Sequence, residues 1–452
     1  MIDPFDPKAP AAPDPMNRRD FVSKSTRAGI GLGVLANAPL FEWPHQERNG
    51  IAVAVMGVNS RGNELAKAFL RMGAEIRFIC DVDSRAVETT VAQVGELQGR
   101  NPRGVTDFRR ALDDQEVHAL VVAAPDHWHA PAALLALQAG KHVYLEKPCG
   151  HGPREGELLV EAQRRHGLVV QMGNQQRSAP ESIELIQRIR EGVIGRPYYG
   201  RSWYANTRGP IGRGSVASVP QWLDYDLWQG PAPRTAYRDN IIHYNWHWFW
   251  RWGTGEICNN GTHEIDVCRW ALGVDFPTRV TSSGGRYHYD DDWECPDTQM
   301  ASFEFENGAV ITWEGRSCSG RPVEGRGRGA AIHGTEGTAI VDRSGYVIYD
   351  SQNNEVARRI RGEVDDALDT RGGGTLTDLH IVNFFESIRE NRAPNAHILG
   401  GHKSQLLCHL GNIAQRTSGA LRCDPATGRI LDDSAAMSLW DRDYEPGWEP
   451  RV

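Results

Sequence analysis

The sequence lacks three features that mark common classes of protein. Its eight cysteines are scattered and include no C-x-x-C pair of the kind that binds zinc. It has no excess of basic residues, because the formal net charge is −8, and this argues against a nucleic-acid partner. It has no apolar run long enough for a membrane span in the mature chain. The sequence therefore favours a globular protein without a structural zinc.

The composition is typical of a folded protein with two domains. The chain has 452 residues, of which 40% are hydrophobic and 24% are charged. A chain of this size can bury a large core without disulfides, and it exceeds the length of one ordinary domain. We predict a signal and linker over residues 1–47, a first domain over 48–175 and a second over 176–452.

The N-terminal segment resembles a twin-arginine export signal. Arg18 and Arg19 precede a weakly apolar run over residues 28–40, which is too short and too glycine-rich to span a membrane. The alternative is a disordered basic tail. The pattern leaves open whether translation starts at Met1 or Met16. Because the arginine pair and the apolar run occur in the expected order, we predict a periplasmic or other extracytoplasmic location.

A strand–turn–helix pattern indicates a dinucleotide site. The apolar run over residues 51–56 predicts a buried parallel strand, and the hexamer G-V-N-S-R-G follows it. Gly57 allows a tight turn, Asn59 tolerates left-handed backbone angles, and Gly62 lets the next helix lie close to the strand. A helical pattern follows, and the N-terminus of that helix favours the negative charge of a pyrophosphate.

An acid at the end of the next strand favours NAD over NADP. The apolar run over residues 76–80 ends at Asp81, about twenty residues after the glycine-rich turn. A carboxylate there binds ribose hydroxyls and repels the phosphate of NADP. Arg61 and Arg85 lie nearby in sequence and leave NADP open.

Two further strand-like runs deliver polar residues at their carboxyl ends, where open α/β sheets bind ligands. The run over residues 119–124 leads to Pro125 and His129. The run over residues 142–145 leads to Glu146 and Lys147.

These motifs resemble the Gfo/Idh/MocA family, named for glucose–fructose oxidoreductase, inositol dehydrogenase and a rhizopine-catabolism protein. The resemblance rests on G-x-N-x-x-G, on residues 125–129 and on Glu146-Lys147-Pro148, and it covers roughly residues 50–420. It implies an α/β protein in which a Rossmann domain precedes an α/β domain with a large, mainly antiparallel sheet. It also implies NAD(P)-dependent hydride transfer to or from a sugar or polyol, and homo-oligomers formed through the second sheet.

The resemblance also assigns roles to individual residues. Lys147 would hold the substrate hydroxyl beside the cofactor, and Pro148 is often cis in the family. Asn174 belongs to a segment similar to the one that closes over the nicotinamide. A later Asp-x-x-x-His motif matches at His263, which would act as general base. Asn259 stands where the family usually has Asp, so the charge that tunes this base is missing, and Asp266 or Glu256 are the available substitutes.

An aromatic segment precedes this motif. Aromatic faces stack against sugar rings, so four side chains are candidate substrate contacts: Trp246, His247, Trp248 and Trp250. The alternative for each is ordinary core packing. A metal site formed by His243, His247 and His263 lacks regular ligand spacing, so we predict no metal.

Three functions remain compatible with the sequence. The first is a sugar or polyol dehydrogenase with a tightly bound nicotinamide cofactor. The second is a redox-neutral glycosidase that oxidises, eliminates, adds water and re-reduces with the same cofactor. Export favours tight cofactor binding in either case, because no free NAD pool exists outside the cytoplasm. The third is a non-catalytic nucleotide-binding protein, supported only by the asparagine at position 259.

Overall fold

A computed structural model describes residues 50–361, 375–417 and 419–452. The predicted export signal lies outside the described residues. Among the described residues, no helix has the length and apolar character to cross a membrane.

The N-terminal half is built on a parallel six-stranded sheet. Its strand order is β3-β2-β1-β4-β5-β6, which reverses direction between β1 and β4. Most of the strands are apolar and buried because helices cover both faces, whereas the edge strand Arg103–Val105 is largely exposed. They are β1 (Ala52–Met56), β2 (Glu75–Cys80), β3 (Arg103–Val105), β4 (Ala119–Val122), β5 (His142–Leu145) and β6 (Val170–Met172).

Five helices connect or follow these strands. The α1 helix buries Leu65 and Phe69 against the sheet, and the α2 helix begins where the Asp83 side chain accepts a hydrogen bond from the Arg85 amide. The helices are α1 (Arg61–Arg71), α2 (Ser84–Gln98), α3 (Arg109–Leu112), α4 (Asp126–Gln138) and α5 (Pro153–His166).

The C-terminal half contains a ten-stranded sheet in the order β14-β13-β12-β11-β7-β10-β9-β8-β15-β16. Every neighbouring pair is antiparallel except β7 and β10, which run parallel. The strands are β7 (Pro197–Ala205), β8 (Arg279–Gly285), β9 (Thr298–Glu304), β10 (Val310–Arg316), β11 (Arg328–Gly334), β12 (Gly337–Asp342), β13 (Gly345–Asp350), β14 (Glu355–Ile360), β15 (Ala420–Cys423) and β16 (Ile430–Leu431). The predicted fold class is therefore confirmed.

One face of this sheet forms the second core. Strand β10 alternates buried and half-buried residues, and its Ile311 and Trp313 face the helices. The remaining helices are α6 (Pro180–Arg190), α7 (Tyr225–Gln229), α8 (Thr262–Leu272), α9 (Thr375–Glu390), α10 (Ile398–Arg416) and α11 (Ser434–Met437). Helix α9 packs back on the parallel sheet, where Phe384 contacts Phe69 and Tyr144.

A long segment, residues 206–256, which is mostly irregular apart from α7, connects β7 to the region before α8 and covers part of the parallel sheet's carboxyl edge. It is attached there by main-chain hydrogen bonds from Ser84 to Trp222 and from Asp224 to Val82. His243 adds a side-chain contact, with Nε2 3.0 Å from Oδ2 of Asp83. This segment brings aromatic residues over the carboxyl ends of the strands, where open α/β sheets bind ligands.

Candidate active site

A cavity of about 820 Å³ lies at the carboxyl edge of the parallel sheet. Both halves of the chain line it. Most of the predicted site residues meet there: Gly57, Asn59, Arg61, Asp81, Pro125, His129, Glu146, Lys147, Trp246, His247, Asn259 and His263.

The glycine-rich turn is packed closely against neighbouring main chain. Gly57 has φ +83°, and a Cβ built on it would lie 2.6 Å from the main-chain nitrogen of Ala124. A Cβ on Gly62 would lie 2.1 Å from the Gly57 oxygen. Both glycines are therefore required by close main-chain packing, and the N-terminus of α1 faces the cavity through Asn59 and Arg61.

Asp81 organises this turn from the end of β2. Its Oδ2 accepts a hydrogen bond from the Val58 amide at 2.6 Å, and its Oδ1 accepts one from the Asp83 amide at 2.9 Å. Burial raises the pKa of Asp81, although these two donors act in the opposite direction. Asp81 lines the cavity, so a ribose hydroxyl there would donate to the same carboxylate oxygens of Asp81 that accept the hydrogen bonds of the turn.

Glu146 and Arg61 form a buried ion pair between β5 and α1. The distance from Arg61 Nε to Glu146 Oε1 is 2.9 Å, and Gln175 Nε2 donates to the same oxygen at 3.4 Å. Burial alone would raise the pKa of Glu146, but Arg61 and then Lys147 bring it below its usual value. Glu146 is thus an anion beside Lys147.

Lys147 projects from the end of β5 into the cavity. The Lys147–Pro148 peptide bond is cis. Its Nζ donates a hydrogen bond to Oδ1 of Asn259 at 2.8 Å. Burial lowers the pKa of Lys147, and the carboxylates of Glu146 and Asp126 offset part of that effect.

His129 holds the main chain around Lys147. Its Nδ1 lies 2.5 Å from the oxygen of Pro148, and its Nε2 lies 2.7 Å from the oxygen of Ala124. The imidazole therefore bridges the ends of two neighbouring strands. It acts on Lys147 through the main chain.

Asn259 and His263 lie on consecutive turns of one helical segment. Residues Ile257–Gly261 form a π-helical turn, and α8 begins at Thr262. The predicted spacing of four residues brings both side chains to the same cavity. π-Helical turns often occur at functional sites because they re-aim side chains locally.

Glu256 orients Asn259 from behind. Its Oε1 accepts hydrogen bonds from Nδ2 of Asn259 at 3.3 Å and of Asn260 at 2.5 Å. Arg208 holds the carboxylate with Nε 2.7 Å from Oε2. Burial would raise the pKa of Glu256, but Arg208 and these donors lower it below its usual value. The Asn259 oxygen is thereby turned toward Lys147.

The negative charge that an aspartate at position 259 would supply is thus carried by Glu256, which contacts Asn259 and does not contact Lys147 directly. A carboxylate three residues upstream reaches the lysine through the Asn259 amide. Asp266, the other substitute considered, instead forms an ion pair with Arg177 at 2.7 Å and accepts a hydrogen bond from Ser404.

His263 is a neutral group in a positively charged environment. Burial lowers its pKa well below the usual value, and Arg343, Arg328 and Lys147 lower it further. Among the described residues, none forms a hydrogen bond with its ring. The imidazole is therefore available to a ligand in the cavity.

Two of the four predicted aromatic contacts line the cavity. Trp246 and His247 do, with their rings stacked 3.6 Å apart. Trp248 is not part of the lining, because it is buried against Trp293 with the rings 4.0 Å apart. Trp250 also lies outside the lining, and the Arg416 guanidinium sits 4.7 Å from its ring centroid.

Two predicted cofactor residues lie outside the lining as well. Gly62 acts through packing in the turn. Asn174 is buried, and the next two residues, Gln175 and Gln176, line the cavity instead.

Several lining residues were missed by sequence reasoning. Asp126 is buried at the start of α4, where it accepts a hydrogen bond from Oγ1 of Thr254 at 2.6 Å and where burial raises its pKa. Its place in the run after β4 was the available signal. Arg208, Arg328 and Arg343 also line the cavity, but they come from distant parts of the second half.

One group of side chains within the described ranges has metal-ligand spacing. His288, Asp297 and Cys318 place one ligand atom each within 4.8 Å of the others. The group is not part of the cavity lining, and Arg286 Nη1 lies 3.5 Å from Asp297. This cation opposes a metal ion there.

Two family models match the chain. The model described as "Oxidoreductase family, NAD-binding Rossmann fold" matches residues 51–174. The "GFO/IDH/MocA C-terminal domain" model matches residues 183–340, so the two together cover more than half of the chain. The chain belongs to the Gfo/Idh/MocA family. Its cofactor is NAD.

Curated relatives of the chain include two whose names refer to sugars or their hydrolysis. A glycosyl hydrolase family 109 protein of Saccharopolyspora erythraea is 30% identical over 258 residues, covering 50% of this chain and 56% of that protein. A levoglucosan dehydrogenase of Pseudarthrobacter phenanthrenivorans is 25% identical over 261 residues, covering 52% and 58%. The chain thus spans somewhat more than half the length of these relatives.

Solved structures share the fold over a longer range. A levoglucosan dehydrogenase in complex with NADH and levoglucosan matches with a TM-score of 0.63 at 19% identity, covering 82% of this chain and 99% of that one. This likeness shows a common arrangement of the two halves of the Gfo/Idh/MocA fold.

Proposed function

We propose that this chain is an NAD-dependent oxidoreductase that transfers a hydride between a sugar or polyol hydroxyl and a tightly bound nicotinamide cofactor. The observation that carries the proposal is a single cavity lined by Gly57, Asn59, Lys147 and His263. The turn at the N-terminus of α1 would hold the pyrophosphate. Bound NAD would supply the hydride acceptor.

Lys147 acts on the oxygen of the substrate hydroxyl, and His263 acts on its proton. The Lys147 amine donates a hydrogen bond to the substrate oxygen and stabilises negative charge that develops on it. His263, which is neutral because its pKa is lowered, accepts the hydroxyl proton. Asn259 fixes the direction of the Lys147 amine through the bond at 2.8 Å.

The test compares Lys147→Met with Lys67→Met, a variant of a lysine on α1 that pairs with Glu64 and is not in the lining. Purified protein is mixed with NAD and a panel of sugars and polyols, and the absorbance of NADH is followed. We expect the Lys147 variant to lose roughly 100-fold or more in kcat, as when one donor to a developing oxyanion is removed. Equal rates in both variants would remove Lys147 from the reaction.

The second candidate is redox-neutral glycoside cleavage. It is favoured by the 30% identity to a glycosyl hydrolase family 109 protein. In that cycle the same lysine and histidine would serve oxidation of the sugar, and the cofactor would return to its oxidised form when the sugar is re-reduced, before product leaves. Release of a chromophore from an aryl glycoside without net NADH, abolished in Lys147→Met, would select this reaction.

We propose further that residues 1–47 carry a twin-arginine export signal. Arg18, Arg19 and the apolar run over 28–40 support it. Fusing these residues to a reporter that is active only outside the cytoplasm tests it. Export of the fusion that survives replacement of both arginines by lysine would contradict the proposal.

We propose that residues 48–175 and 176–452 form the two domains, and that the second sheet mediates homo-oligomers. The oligomer proposal rests on the partly exposed face of that sheet, where Met300 on β9 is 51% exposed and Thr312 and Glu314 on β10 are half-buried. Sedimentation of the wild type and of Met300→Lys tests it. A monomeric wild type would refute it.

A further inference from the structure

The segment over residues 206–256 closes one end of the cavity. Asp81 lines this end, and a carboxylate at the end of β2 is where a Rossmann domain binds the ribose of the adenosine half of NAD. Leu227, Trp228 and His243 of the segment line the same cavity. The adenosine end of the cavity therefore has one wall from the parallel sheet and one from the second half of the chain.

Main-chain hydrogen bonds attach this segment to the loop after β2. The Ser84 amide donates to the Trp222 oxygen at 3.0 Å. The Asp224 amide donates to the Val82 oxygen, also at 3.0 Å. These bonds do not depend on the side chains, so they fix where the segment crosses the carboxyl edge of the sheet.

Four side chains reinforce this attachment, and we call them the clasp: Asp83, Arg85, Trp222 and His243. The guanidinium of Arg85 lies over the Trp222 ring, 3.5 Å from its centroid, which is a cation–π contact. The Trp222 ring stacks on that of His243 with the centroids 6.0 Å apart. His243 Nε2 lies 3.0 Å from Oδ2 of Asp83, and Arg85 Nη2 lies 2.8 Å from the same oxygen. The four contacts therefore form a closed ring between the two halves.

The clasp is connected to the ribose site, but most of it lies outside the cavity. The Asp83 amide donates to Oδ1 of Asp81 at 2.9 Å, so the loop that carries the clasp also orients the carboxylate of the ribose site. Of the four clasp residues, only His243 lines the cavity. Trp222 therefore acts on a bound cofactor only through the position of the segment.

We propose that the clasp holds residues 206–256 over the adenosine half of NAD and thereby retains the cofactor in the site. The inference rests on the proposed function and adds the means by which NAD release is controlled. Because the segment covers the adenosine end, it must move before NAD enters and before NAD leaves. Weakening the clasp should therefore raise the association and dissociation rate constants together, whereas loss of a direct contact would raise mainly the dissociation rate constant.

The experiment measures both rate constants by stopped-flow fluorescence, with the full chain and with NADH as the probe. Association is followed at several NADH concentrations, and dissociation is followed during displacement by excess NAD. The test variant is Trp222→Ala. The matched control is Trp250→Ala, which removes another half-buried tryptophan of the same segment. Trp250 also has a guanidinium near its ring, that of Arg416 at 4.7 Å from the centroid, and it lies outside the cavity lining.

We expect Trp222→Ala to raise both rate constants roughly tenfold, because a cation–π contact and a stacked ring are lost together. The Kd for NADH should then change by less than about threefold. Trp222→Phe keeps an aromatic face for Arg85 and should restore most of the slow exchange, and Trp250→Ala should behave like the wild type. Unchanged rate constants in Trp222→Ala, or faster dissociation with unchanged association, would overturn the proposal.

Arg85→Ala tests the same contact from the other side. The Arg85 side chain is 57% exposed, so this variant should fold, and both rate constants should rise as in Trp222→Ala. In the double variant, the combined effect should be smaller than the product of the single effects, because both substitutions remove one contact. Fully multiplicative effects would mean that the two residues do not act as one clasp.

Other outcomes separate the clasp from the proposed function. Slow NADH exchange that depends on Trp222, with no sugar able to reduce bound NAD, would support the clasp and contradict the hydride transfer. Sugar-dependent NAD reduction with equal exchange rates in the wild type and in Trp222→Ala would do the reverse. A wild type that does not bind NADH would contradict both.

Discussion

At the scale of single residues, the amide of Asn259 determines how the negative charge of Glu256 reaches Lys147. A carboxylate in direct contact would hold the lysine as an ammonium, whereas an amide transmits only a dipole. The structure places Glu256 behind the amide, with Nδ2 of Asn259 3.3 Å from its Oε1. Glu256 is therefore a positioning residue that acts through Asn259.

Replacing this amide tests that arrangement. Asn259→Asp puts a carboxylate within hydrogen-bond distance of Lys147 Nζ and should raise the lysine pKa by roughly 1–3 units. If the ammonium form of Lys147 is the active one, kcat/KM falls at high pH as the lysine loses its proton. In Asn259→Asp this fall should occur at a higher pH than in the wild type. The measurement is the pH profile of kcat/KM with a substrate found in the sugar panel.

Asn260→Asp is the matched control. Asn260 donates to the same Glu256 oxygen at 2.5 Å, and its side chain has no hydrogen bond to Lys147. It therefore adds the same charge beside Glu256 without touching the lysine. If kcat/KM falls at the same alkaline pH in both aspartate variants, direct contact between residue 259 and Lys147 is not the cause of the shift.

At the scale of elements, the turn between β1 and α1 depends on main-chain contact. In Gly57→Ala the new methyl would meet the Ala124 nitrogen at 2.6 Å, at a φ of +83° that alanine rarely adopts. We expect this variant to lose the rise in Tm that NAD gives the wild type, since a ligand that binds only the folded state stabilises it.

Gly99→Ala controls for backbone strain alone. Gly99 has a similar φ of +76°, at the end of α2, and nothing lies within 4 Å of the Cβ position. Its variant should lose some stability and keep the full NAD-dependent shift in Tm. An undiminished shift in Gly57→Ala would show that the turn does not contact the cofactor.

The sequence predicts elements that are local in the chain and fails where contacts are distant. The strand, turn and helix over residues 51–71 follow from one continuous pattern, and so does the strand that leads to Lys147. The partners of Glu256 do not, since Arg208 lies 48 residues away. The spacing of apolar residues along the sequence does not distinguish Trp246, which lines the cavity, from Trp248, which stacks on Trp293.

At the scale of the whole molecule, the two halves are held together by buried polar contacts. The C-terminal segment returns to the helices that cover the parallel sheet, where Arg442 and Tyr444 both donate hydrogen bonds to Oε1 of Glu155 on α5. Arg442 also donates to the main-chain oxygen of His127, at 2.7 Å. The Rossmann half is therefore completed by residues from the end of the chain.

Buried histidines should make this assembly sensitive to acid. Burial lowers the pKa of His127 and His409 to about 3, and of His380 and His402 to about 4. The unfolded chain takes up protons near pH 6.5, whereas the folded chain does so only at these lower values. Their contribution to stability is thus complete above about pH 6.5 and is lost progressively as the pH falls toward 4.

The prediction is a free energy of unfolding that decreases between pH 7 and pH 5 by up to about 1.4 kcal/mol per pH unit for each such histidine. Asp81, Asp126 and Glu264 oppose the trend, because burial raises their pKa. The comparison of His402→Gln with His166→Gln in urea unfolding at several pH values isolates one group. The first should have the shallower slope, because it no longer takes up a proton on unfolding. Identical slopes in the two variants would mean that His402 is protonated in the folded protein.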